Sequence, residues 1–470
     1  MIRFSLKDVL AGTGGTLITS AAGHQLFTGI SIDSRTVTSG QVFLAIRGEV
    51  HDGHDFLRDA WKAGAALAVV DGDLPPVASK IPPIPLIVVK NTIRALQSLA
   101  SFWRERHPIP ALAVVGSVGK TTIKEMTACI LSTMGPCLKN AGNLNNHIGL
   151  PFSLLGLADY HRCAVLELGS NAPGEIAMLT SILQPEAAVI TRLGWAHLEG
   201  FGDPMSLVRE KAAVLDALPS SGWCALNGDS QWYEELRDRA NCRVVTYGLD
   251  TGEVTASEIS LGIMTSFLME TPLGRARVHI RGFGRHFVEN ALAAAAVTLP
   301  LGISLEDMTS GLDSWQPQNG RGGILNPRPG INFIDDSYNA NPLSVGTSLE
   351  NLAALRSEGV TVAVLGEMKE LGEYFEQGHV LVGRRVGELE VDYLVAVGPA
   401  AELICKGATE SGMPRKNIFK CSGDAAAVDA LAGLLTPGVW VLFKASRAAR
   451  IERVMEKFLN PAPVPAEGGD

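Results

Sequence analysis

A glycine-rich loop that carries a lysine and two threonines is the feature of this sequence best suited to chemistry. Residues 116–122 read GSVGKTT, directly after the apolar run 111–115 and at the start of a helical pattern. Backbone N–H groups of such a loop, with the N-terminus of a helix, can surround phosphate oxygens. In this arrangement the lysine contacts the phosphates and the first threonine holds Mg²⁺. We therefore predict a phosphate site formed by Gly116, Ser117, Val118, Gly119, Lys120, Thr121 and Thr122.

The loop is one glycine short of the usual phosphate-loop pattern. Val114 stands where the first glycine of that pattern belongs, so an ordinary tight turn between a strand and a helix is the alternative. The order of strand, loop and helix favours the phosphate site over the plain turn.

Two further candidates accompany the next apolar runs of the chain. Glu167 lies inside the run 163–168, and His197 comes shortly after the run 187–191. The carboxyl ends of parallel strands meet at one edge of a sheet, where ligands bind. A carboxylate in an apolar run is costly unless it is paired or binds a metal ion, so we expect Glu167 to hold Mg²⁺ beside the phosphates. A salt bridge for Glu167 and a structural role for His197 are the alternatives.

Other charged residues are ambiguous by spacing alone. Asp335 and Asp336 end an apolar run, where acids can accept ribose hydroxyls, but a helix cap with a turn explains them equally well. Arg321 stands among glycines and could reach a phosphate, or it could be a flexible solvated arginine. Lys211 lies on a predicted helix, and its spacing does not distinguish it from a solvated surface lysine.

The elements around these residues predict an α/β protein of three domains. The chain has 470 residues, and about 150 residues per domain suggests three domains. Continuous apolar runs predict strands buried on both faces of a parallel sheet. They occur in a central and a third region, at 111–115, 163–168, 187–191, 331–334, 360–365, 393–397 and 439–443. A smaller first unit is predicted from strands at 29–35, 42–46 and 86–89 and helices at 55–63 and 92–106.

We place a boundary at the X-Pro pairs of residues 107–110, because such pairs disfavour a helix. The predicted division is a small N-terminal α/β domain at 1–108, a central phosphate-loop domain with a doubly wound parallel sheet at 109–314, and a C-terminal Rossmann-like domain at 315–460. Residues 461–470 are rich in proline and predict a disordered tail.

Composition excludes several classes of protein. Hydrophobic residues make up 46% and charged residues 19%, which excludes a wholly disordered chain. A net charge of −9 is a poor match for nucleic acid. No run of about 18 apolar residues occurs, so we expect no membrane insertion. Seven cysteines without a CxxC pair are typical of reduced thiols, and we expect a cytoplasmic protein.

Taken together, segments along nearly the whole chain resemble the Mur ligases, the ATP-dependent amide-forming enzymes of peptidoglycan synthesis. The segments that carry the resemblance are 33–35, 52–56, 116–122, 143–151, 167–171, 174–176, 196–202, 284–286, 335–342, 365–372 and 444–447. Segment 335–342, which reads DDSYNANP, and segment 365–372, which reads LGEMKELG, are the most specific. They resemble the family member that adds D-alanyl-D-alanine to UDP-N-acetylmuramoyl-tripeptide.

The resemblance implies an activity and a division of labour. The first domain would bind the UDP-muramoyl substrate, the central domain ATP, and the third would close over the site. The tripeptide carboxylate would attack the γ-phosphate of ATP, and D-alanyl-D-alanine would then attack the resulting acyl phosphate. The implied partners are these two substrates alone, with no nucleic acid and with the chain acting as a monomer.

The resemblance also assigns roles to residues. Lys120, Glu167, His197 and Lys211 would be catalytic, with Thr121, Glu167 and His197 holding two Mg²⁺ ions and Lys211 carbamylated. Asn290 would lie at the adenine, Arg321 would reach ATP from a hinge, and Asp336 would contact the ribose. Substrate-binding residues would be Ser34, Arg35, Asn143, Asn145, Asn146, Asn339 and Asn341.

Three positions depart from the family pattern. Val115 stands where the family often has a threonine before the first glycine of the loop. Phe287 stands where the family usually has an asparagine after the histidine that matches His286. Residues 191–193 read TRL where many members carry asparagines. These changes put one polar contact near the nucleotide in doubt.

Two other functions compete. The nearest alternative is the family ligase that adds the third amino acid. Its diaminopimelate-using version carries an Asp-Asn-Pro-Arg motif in the third domain. The only Asn-Pro-Arg of this chain lies at 326–328, after a leucine and upstream of the Asp335–Asp336 pair, which is the wrong place. A phosphate-loop ATPase switch is the alternative from another class, and the shortened loop argues against it.

Overall fold

The computed structural model describes residues 3–18, 26–48, 50–72, 83–194 and 201–460. Over these ranges the chain forms three successive α/β units, each built on its own sheet. The predicted α/β class with three regions is confirmed. His197 and the predicted tail at 461–470 lie outside the described residues.

The first unit is built on short strands. These are β1 (Phe4–Ser5), β2 (Thr16–Leu17), β3 (Leu26–Phe27), β4 (Ile30–Ser31), β5 (Val42–Leu44), β6 (Leu67–Asp71) and β7 (Leu86–Val89). A sheet of order β2-β7-β6-β5-β4 is parallel except at β2, and β1 pairs separately with β3. Helices α1 (Leu6–Thr13), α2 (Leu57–Lys62) and α3 (Thr92–Glu105) accompany it. Strands β1, β2, β3 and β6 and helix α1 were not among the predicted elements.

Helix α3 joins the first unit to the central one. Asn91 caps its N-terminus, because its side chain accepts a hydrogen bond from the backbone N–H of Arg94. On its buried face, Trp103 Nε1 donates to the carbonyl of Leu157 over 3.0 Å. Arg104 Nε donates to the carbonyl of Leu183 over 3.0 Å. One hydrophobic cluster therefore runs continuously through both units.

The central unit contains a six-stranded parallel sheet. Its strands are β8 (Ala111–Val115), β9 (Cys137–Lys139), β10 (Cys163–Glu167), β11 (Ala187–Ile190), β12 (Trp223–Asn227) and β13 (Arg243–Tyr247). Their order is β13-β12-β11-β8-β10-β9. Every residue of β8, β10 and β11 is buried, as the continuous apolar runs predicted. The chain reverses its winding direction around β8, and ligands bind at such a point in doubly wound sheets.

Helices cover both faces of this sheet. They are α4 (Lys120–Leu131), α5 (Gly149–Leu154), α6 (Glu175–Leu183), α7 (Pro204–Asp216), α8 (Tyr233–Arg239), α9 (Arg285–Thr298) and α10 (Leu305–Ser314). Helix α9 contains four consecutive alanines from Ala293 to Ala296, all fully buried. These small side chains let α9 pack closely on α4 beside the phosphate loop.

A three-stranded antiparallel sheet follows β13 and was not among the predicted elements. It comprises β14 (Thr255–Ser260), β15 (Met264–Thr271) and β16 (Gly274–Arg281), in that order. Thr265, Phe267 and Met269 are buried on one face of β15, while the residues between them are partly exposed. A half-buried sheet of this kind alternates polar and apolar residues, so it lacks the continuous runs that marked the parallel strands.

The third unit is a second doubly wound sheet, as predicted. Its strands are β17 (Gly323–Arg328), β18 (Ile331–Asp335), β19 (Thr361–Leu365), β20 (Tyr393–Val397), β21 (Ile418–Cys421) and β22 (Val439–Lys444). Their order is β17-β18-β22-β19-β20-β21, and the edge strand β17 is antiparallel to β18. Helices α11 (Pro342–Ala354), α12 (Phe375–Glu388), α13 (Ala401–Glu410), α14 (Asp424–Ala432) and α15 (Glu452–Leu459) surround it.

Candidate active site

The phosphate loop follows β8 and opens α4, and its two glycines are required sterically. Gly116 has φ +151° and Gly119 has φ +88°. A Cβ at Gly116 would lie 1.9 Å from Thr191 Oγ1, and a Cβ at Gly119 would lie 2.8 Å from Asn290 Oδ1. A side chain at Gly116 would overlap Thr191, and one at Gly119 would have to displace the Asn290 side chain and adopt a left-handed conformation.

Two backbone N–H groups of the loop are already hydrogen-bonded within the protein. The N–H groups of Ser117 and Val118 donate to the carbonyl of Arg192, over 3.0 and 3.2 Å. The first-turn N–H groups of α4, from Lys120 onward, have no acceptor within their own helix. These groups, together with the helix dipole, leave a site for an anion at the helix N-terminus.

Lys120 lies at the mouth of this site. Its Nζ is 3.3 Å from the carbonyl oxygen of Ser117, and the side chain lines the cavity. Burial lowers the pKa of Lys120, the Glu167 carboxylate opposes this shift, and the Arg321 guanidinium adds to it. An incoming polyanion would therefore stabilise the charged form of Lys120.

Glu167 is the last residue of β10 and is 4% exposed. Thr121 Oγ1 donates to Glu167 Oε2 over 2.7 Å, and Asn145 Nδ2 donates to Glu167 Oε1 over 2.8 Å. Asn140 fixes the Glu167 backbone with a hydrogen bond to its carbonyl and another from its N–H. Among the residues that the structure describes, these hydrogen bonds, and not a salt bridge, hold the Glu167 carboxylate. A carboxylate, a hydroxyl and an amide oxygen are suitable ligands for Mg²⁺.

Within the described residues, no three His, Cys, Asp or Glu side chains cluster as a metal site. The oxygen ligands of Thr121 and Glu167 are thus the part of the predicted metal site that the structure describes. His197, predicted to hold a second ion, lies outside the described residues.

Lys211 lies on α7 and is only 1% exposed, so the solvated-surface interpretation is wrong. Its Nζ donates to Ser170 Oγ over 2.7 Å and to the Ser170 carbonyl over 3.2 Å. Burial lowers the pKa of Lys211 to about 7, and the charge of Lys120 acts in the same direction. A substantial fraction of this amine is therefore neutral near pH 7.

The third unit closes the other side of the site. The guanidinium of Arg321 lies 4.0 Å above the ring centre of Tyr338, so Arg321 is stacked and not freely solvated. Asp336 Oδ2 accepts hydrogen bonds from Lys444 Nζ at 2.5 Å and Ser348 Oγ at 2.6 Å. Its neighbour Asp335 has the turn role foreseen as the alternative.

The carboxylate of Asp335 accepts from Ser337 Oγ at 2.5 Å and from the N–H of Gly320 at 2.9 Å. Asn341 caps α11, since its side chain accepts from the N–H of Ser344 at 2.8 Å. Asn341 thus has a structural role in addition to its place beside the cavity.

A cavity of about 1420 Å³ lies between the central and third units. It brings together most of the predicted residues, namely Ser117, Val118, Gly119, Lys120, Thr121, Thr122, Asn143, Asn145, Asn146, Glu167, Lys211, Asn290, Arg321, Asp336, Asn339 and Asn341. Ser34 and Arg35 are not among its lining residues. Arg35 is exposed on the first unit and pairs with Asp33 over 2.6 Å.

Sequence reasoning missed an ion pair in this cavity. Arg192 is bound to Glu289, a 5% exposed residue of α9. An acid within an Ala-rich apolar helix was the available signal for Glu289. Phe287, where the family has asparagine, is buried and packs on Trp315 with ring centres 5.3 Å apart. Its ring makes no polar contact there.

The fold and the cavity define a phosphate-loop nucleotide-binding protein whose third unit faces the nucleotide site. Three family models match it in succession: "Mur ligase family, catalytic domain" at residues 26–104, "Mur ligase middle domain" at 114–298, and "Mur ligase, glutamate ligase domain" at 320–447. The chain belongs to the Mur ligase family, whose members are ATP-dependent ligases.

Characterised relatives match over nearly the whole chain. The UDP-N-acetylmuramoyl-tripeptide–D-alanyl-D-alanine ligase of Escherichia coli K12 is 35% identical, covering 91% of this chain and 92% of its own. The ligase of the same name from Bacillus subtilis 168 is 30% identical, covering 98% and 99%.

Solved structures agree with this relationship. Crystal structure I of MurF from Acinetobacter baumannii has a TM-score of 0.90 at 34% identity, covering 97% of this chain and 99% of its own. MurF ligase from Thermotoga maritima in complex with ADP has a TM-score of 0.81 at 29% identity, covering 92% and 97%. Among the helices that the structure describes, none has the length and apolarity needed to cross a membrane.

Proposed function

We propose that this chain joins D-alanyl-D-alanine to UDP-N-acetylmuramoyl-tripeptide at the expense of ATP, giving the pentapeptide, ADP and phosphate. The tripeptide carboxylate attacks the γ-phosphate, ADP leaves, and the dipeptide amine displaces phosphate from the acyl phosphate. The observation that carries the proposal is the near-complete alignment, at 30–35% identity, with two proteins named UDP-N-acetylmuramoyl-tripeptide–D-alanyl-D-alanine ligase. The cavity with its phosphate loop supports it.

Lys120 and the N-terminus of α4 bind the β- and γ-phosphates in this proposal. Both substrates of the first step are anions, so their approach requires positive charge between them. Lys120 supplies that charge in a partly buried position, where the attraction is stronger than in water. The third unit then excludes water from the acyl phosphate, which would otherwise hydrolyse.

Thr121 and Glu167 would hold one Mg²⁺, and His197 would help to hold a second. The 2.7 Å contact between the threonine hydroxyl and the carboxylate brings two suitable oxygen ligands together at the loop. Bound there, Mg²⁺ would neutralise triphosphate charge and polarise the γ-phosphoryl group. Asn145 orients the second carboxylate oxygen of Glu167.

Lys211 is the residue we propose to be carbamylated. Only a neutral amine can attack CO₂, and the burial that lowers its pKa to about 7 provides one. Carbamylation would convert a buried cation beside Ser170 into a carboxylate. The product would face the same cavity as Lys120 and Glu167.

The remaining roles are those that the resemblance to the family assigns. Asn290, Arg321 and Asp336 would contact the adenine, the phosphates and the ribose. Asn143, Asn145, Asn146, Asn339 and Asn341 would bind substrate within the cavity, whereas Ser34 and Arg35 would bind the UDP end on the first unit. We propose domains at 1–108, 109–314 and 315–460, in a monomer that acts in the cytoplasm.

The test is phosphate release from ATP and Mg²⁺ with UDP-N-acetylmuramoyl-tripeptide, with and without D-alanyl-D-alanine. We expect release that requires both substrates, with the pentapeptide identified by mass. Lys120→Ala should abolish it. Lys406→Ala, which removes an exposed lysine of the third unit, is the matched control.

Each other outcome identifies a different function. Release that ignores both substrates would replace the ligase with an ATPase switch. Release with a single amino acid and a dipeptide-stage substrate would keep the family and change the reaction step.

A further inference from the structure

Arg192 lies in the loop after β11, and its backbone forms the wall behind the phosphate loop. The Arg192 carbonyl accepts the N–H groups of Ser117 and Val118. Two residues on, the N–H of Gly194 donates to Ser117 Oγ over 3.2 Å. These contacts fix the first half of the phosphate loop from one side.

The side chain of Arg192 extends in another direction, to Glu289 on α9. Arg192 Nε donates to Glu289 Oε1 over 2.9 Å, and Arg192 Nη2 lies 2.7 Å from Glu289 Oε2. Asn227 Nδ2 also donates to Glu289 Oε1, over 2.7 Å. A carboxylate buried to this degree needs its partners, because an unpaired buried charge is strongly unfavourable. Burial raises the pKa of Glu289, and the Arg192 charge opposes that shift.

Glu289 immediately precedes the residue that touches the loop from the opposite side. Asn290 Oδ1 lies 2.8 Å from the position a Cβ would take at Gly119. The Arg192–Glu289 pair therefore links the loop after β11 to the helical turn that carries Asn290. Through one residue, the phosphate loop is held from both sides.

A third contact links Arg192 to the third unit. Arg192 Nη1 donates to Thr347 Oγ1 on α11 over 3.4 Å. The next residue, Ser348, donates to Asp336. The planar guanidinium offers five donors in a fixed fork, which allows it to serve α9 and α11 together.

We propose that Arg192 is a positioning residue of the nucleotide site, which holds the phosphate loop against α9 through Glu289 and connects it to the third unit through Thr347. Arg192 lies outside the sequence motifs that carry the resemblance to the family. This role deepens the proposed function and rests on it for the reaction, but nucleotide binding can be measured without any ligation.

The test measures ADP affinity by calorimetry with Mg²⁺, and KM and kcat for ligation, in Arg192→Asn, Arg192→Lys, Glu289→Gln and the double variant R192N/E289Q. We expect Arg192→Asn to weaken ADP binding roughly tenfold and to raise the KM for ATP by a similar factor. The KM for D-alanyl-D-alanine should not change. Arg192→Lys keeps the charge and loses the fork, so it should recover part of the affinity.

The double variant shows whether Arg192 and Glu289 affect ADP affinity together or independently of each other. With Glu289→Gln no buried charge is left unpaired, so R192N/E289Q should bind ADP no worse than the weaker single variant. Arg237→Asn, an exposed arginine of α8, is the control. Unchanged ADP affinity in a variant with lowered Tm would show a purely structural pair and overturn the proposal, as would additive losses in the double variant. If the wild-type protein binds ADP but makes no pentapeptide, the proposed function is contradicted, while the positioning role of Arg192 can still be judged from ADP affinity.

Discussion

The Thr121 hydroxyl donates a 2.7 Å hydrogen bond to Glu167 Oε2, between the first turn of α4 and the end of β10. The parallel pairing of β8 with β10 places Glu167 opposite Val114, two residues before the loop begins. The sheet register therefore brings the two proposed metal ligands together.

Replacing Glu167 tests the metal site directly. Glu167→Gln keeps the shape but loses the charge, so we expect ligation to fall about a hundredfold or more, since metal stabilisation of phosphoryl charge is worth several kcal/mol. The loss should appear in steady-state rates at saturating substrates. Glu402→Gln on the exposed face of α13 should leave the rate unchanged. Full activity in Glu167→Gln would exclude this carboxylate as a metal ligand.

Gly119→Ala separates backbone strain from a clash at the nucleotide site. Gly119 and Gly398 have similar φ values of +88° and +84°, but only the first has a neighbour within 4 Å of a Cβ. Both alanine variants should lose about 1–2 kcal/mol of folding free energy from the left-handed conformation. Only Gly119→Ala should also lower kcat/KM for ATP, by roughly a hundredfold, because it displaces the loop. Equal effects of the two variants on ATP use would contradict the assignment.

Lys211 predicts a pH dependence of stability. Its pKa is about 7 in the folded protein, against an ordinary value of 10.5. Between these values the unfolded chain holds a proton that the folded chain has released, so stability should rise with pH, by at most about 1.4 kcal/mol per unit. Denaturant unfolding in CO₂-free buffer measures this slope, since carbamylation would remove the titrating amine. Lys211→Met should lack the contribution, and parallel wild-type and variant profiles would refute it.

Lys444 and Asp336 form a mostly buried ion pair whose loss should be costly. The Lys444 side chain is 3% exposed and that of Asp336 is 22% exposed. Lys444→Met leaves the Asp336 carboxylate without its cation and should reduce the free energy of unfolding by about 3 kcal/mol. Chemical denaturation measures this, with the exposed Lys406→Met as the control. Adding Asp336→Asn should cost less than the sum of the singles, and simple additivity would argue against the pairing.

Local patterns predicted the parts of the site that are continuous in sequence. The phosphate loop is a strand, a turn and a helix start in a row, so seven residues specify it. Continuous apolar runs predicted buried parallel strands such as β8, β10 and β11, because both faces require apolar side chains, but the equally buried β6 and β12 were not predicted. Helix α3 was predicted within one residue of its observed end at Glu105, because a proline follows three positions later.

Contacts between distant residues were not predictable in this way. The hydrogen-bond partner of the buried Lys211 amine is Ser170, 41 residues away, and the partner of Arg192 lies 97 residues away on α9. The antiparallel sheet β14–β16 was not predicted because its half-buried strands alternate polar and apolar residues and so lack a continuous apolar run. Burial of Lys211 and the Arg192–Glu289 pair follow from tertiary packing, which no local window contains.

The shared core beneath α3 determines which parts of the molecule can move during turnover. Trp103 and Arg104 are bonded to carbonyls of the central unit, and apolar packing continues across the junction. The third unit is built on two other clusters, one of which also includes Leu261 and Phe283 of the central unit, and it follows a segment with positive φ at Gly320 and Gly322. We therefore expect the first two units to move as one body, with a fixed distance between the proposed UDP-binding end and the nucleotide site, and the third unit to move relative to them.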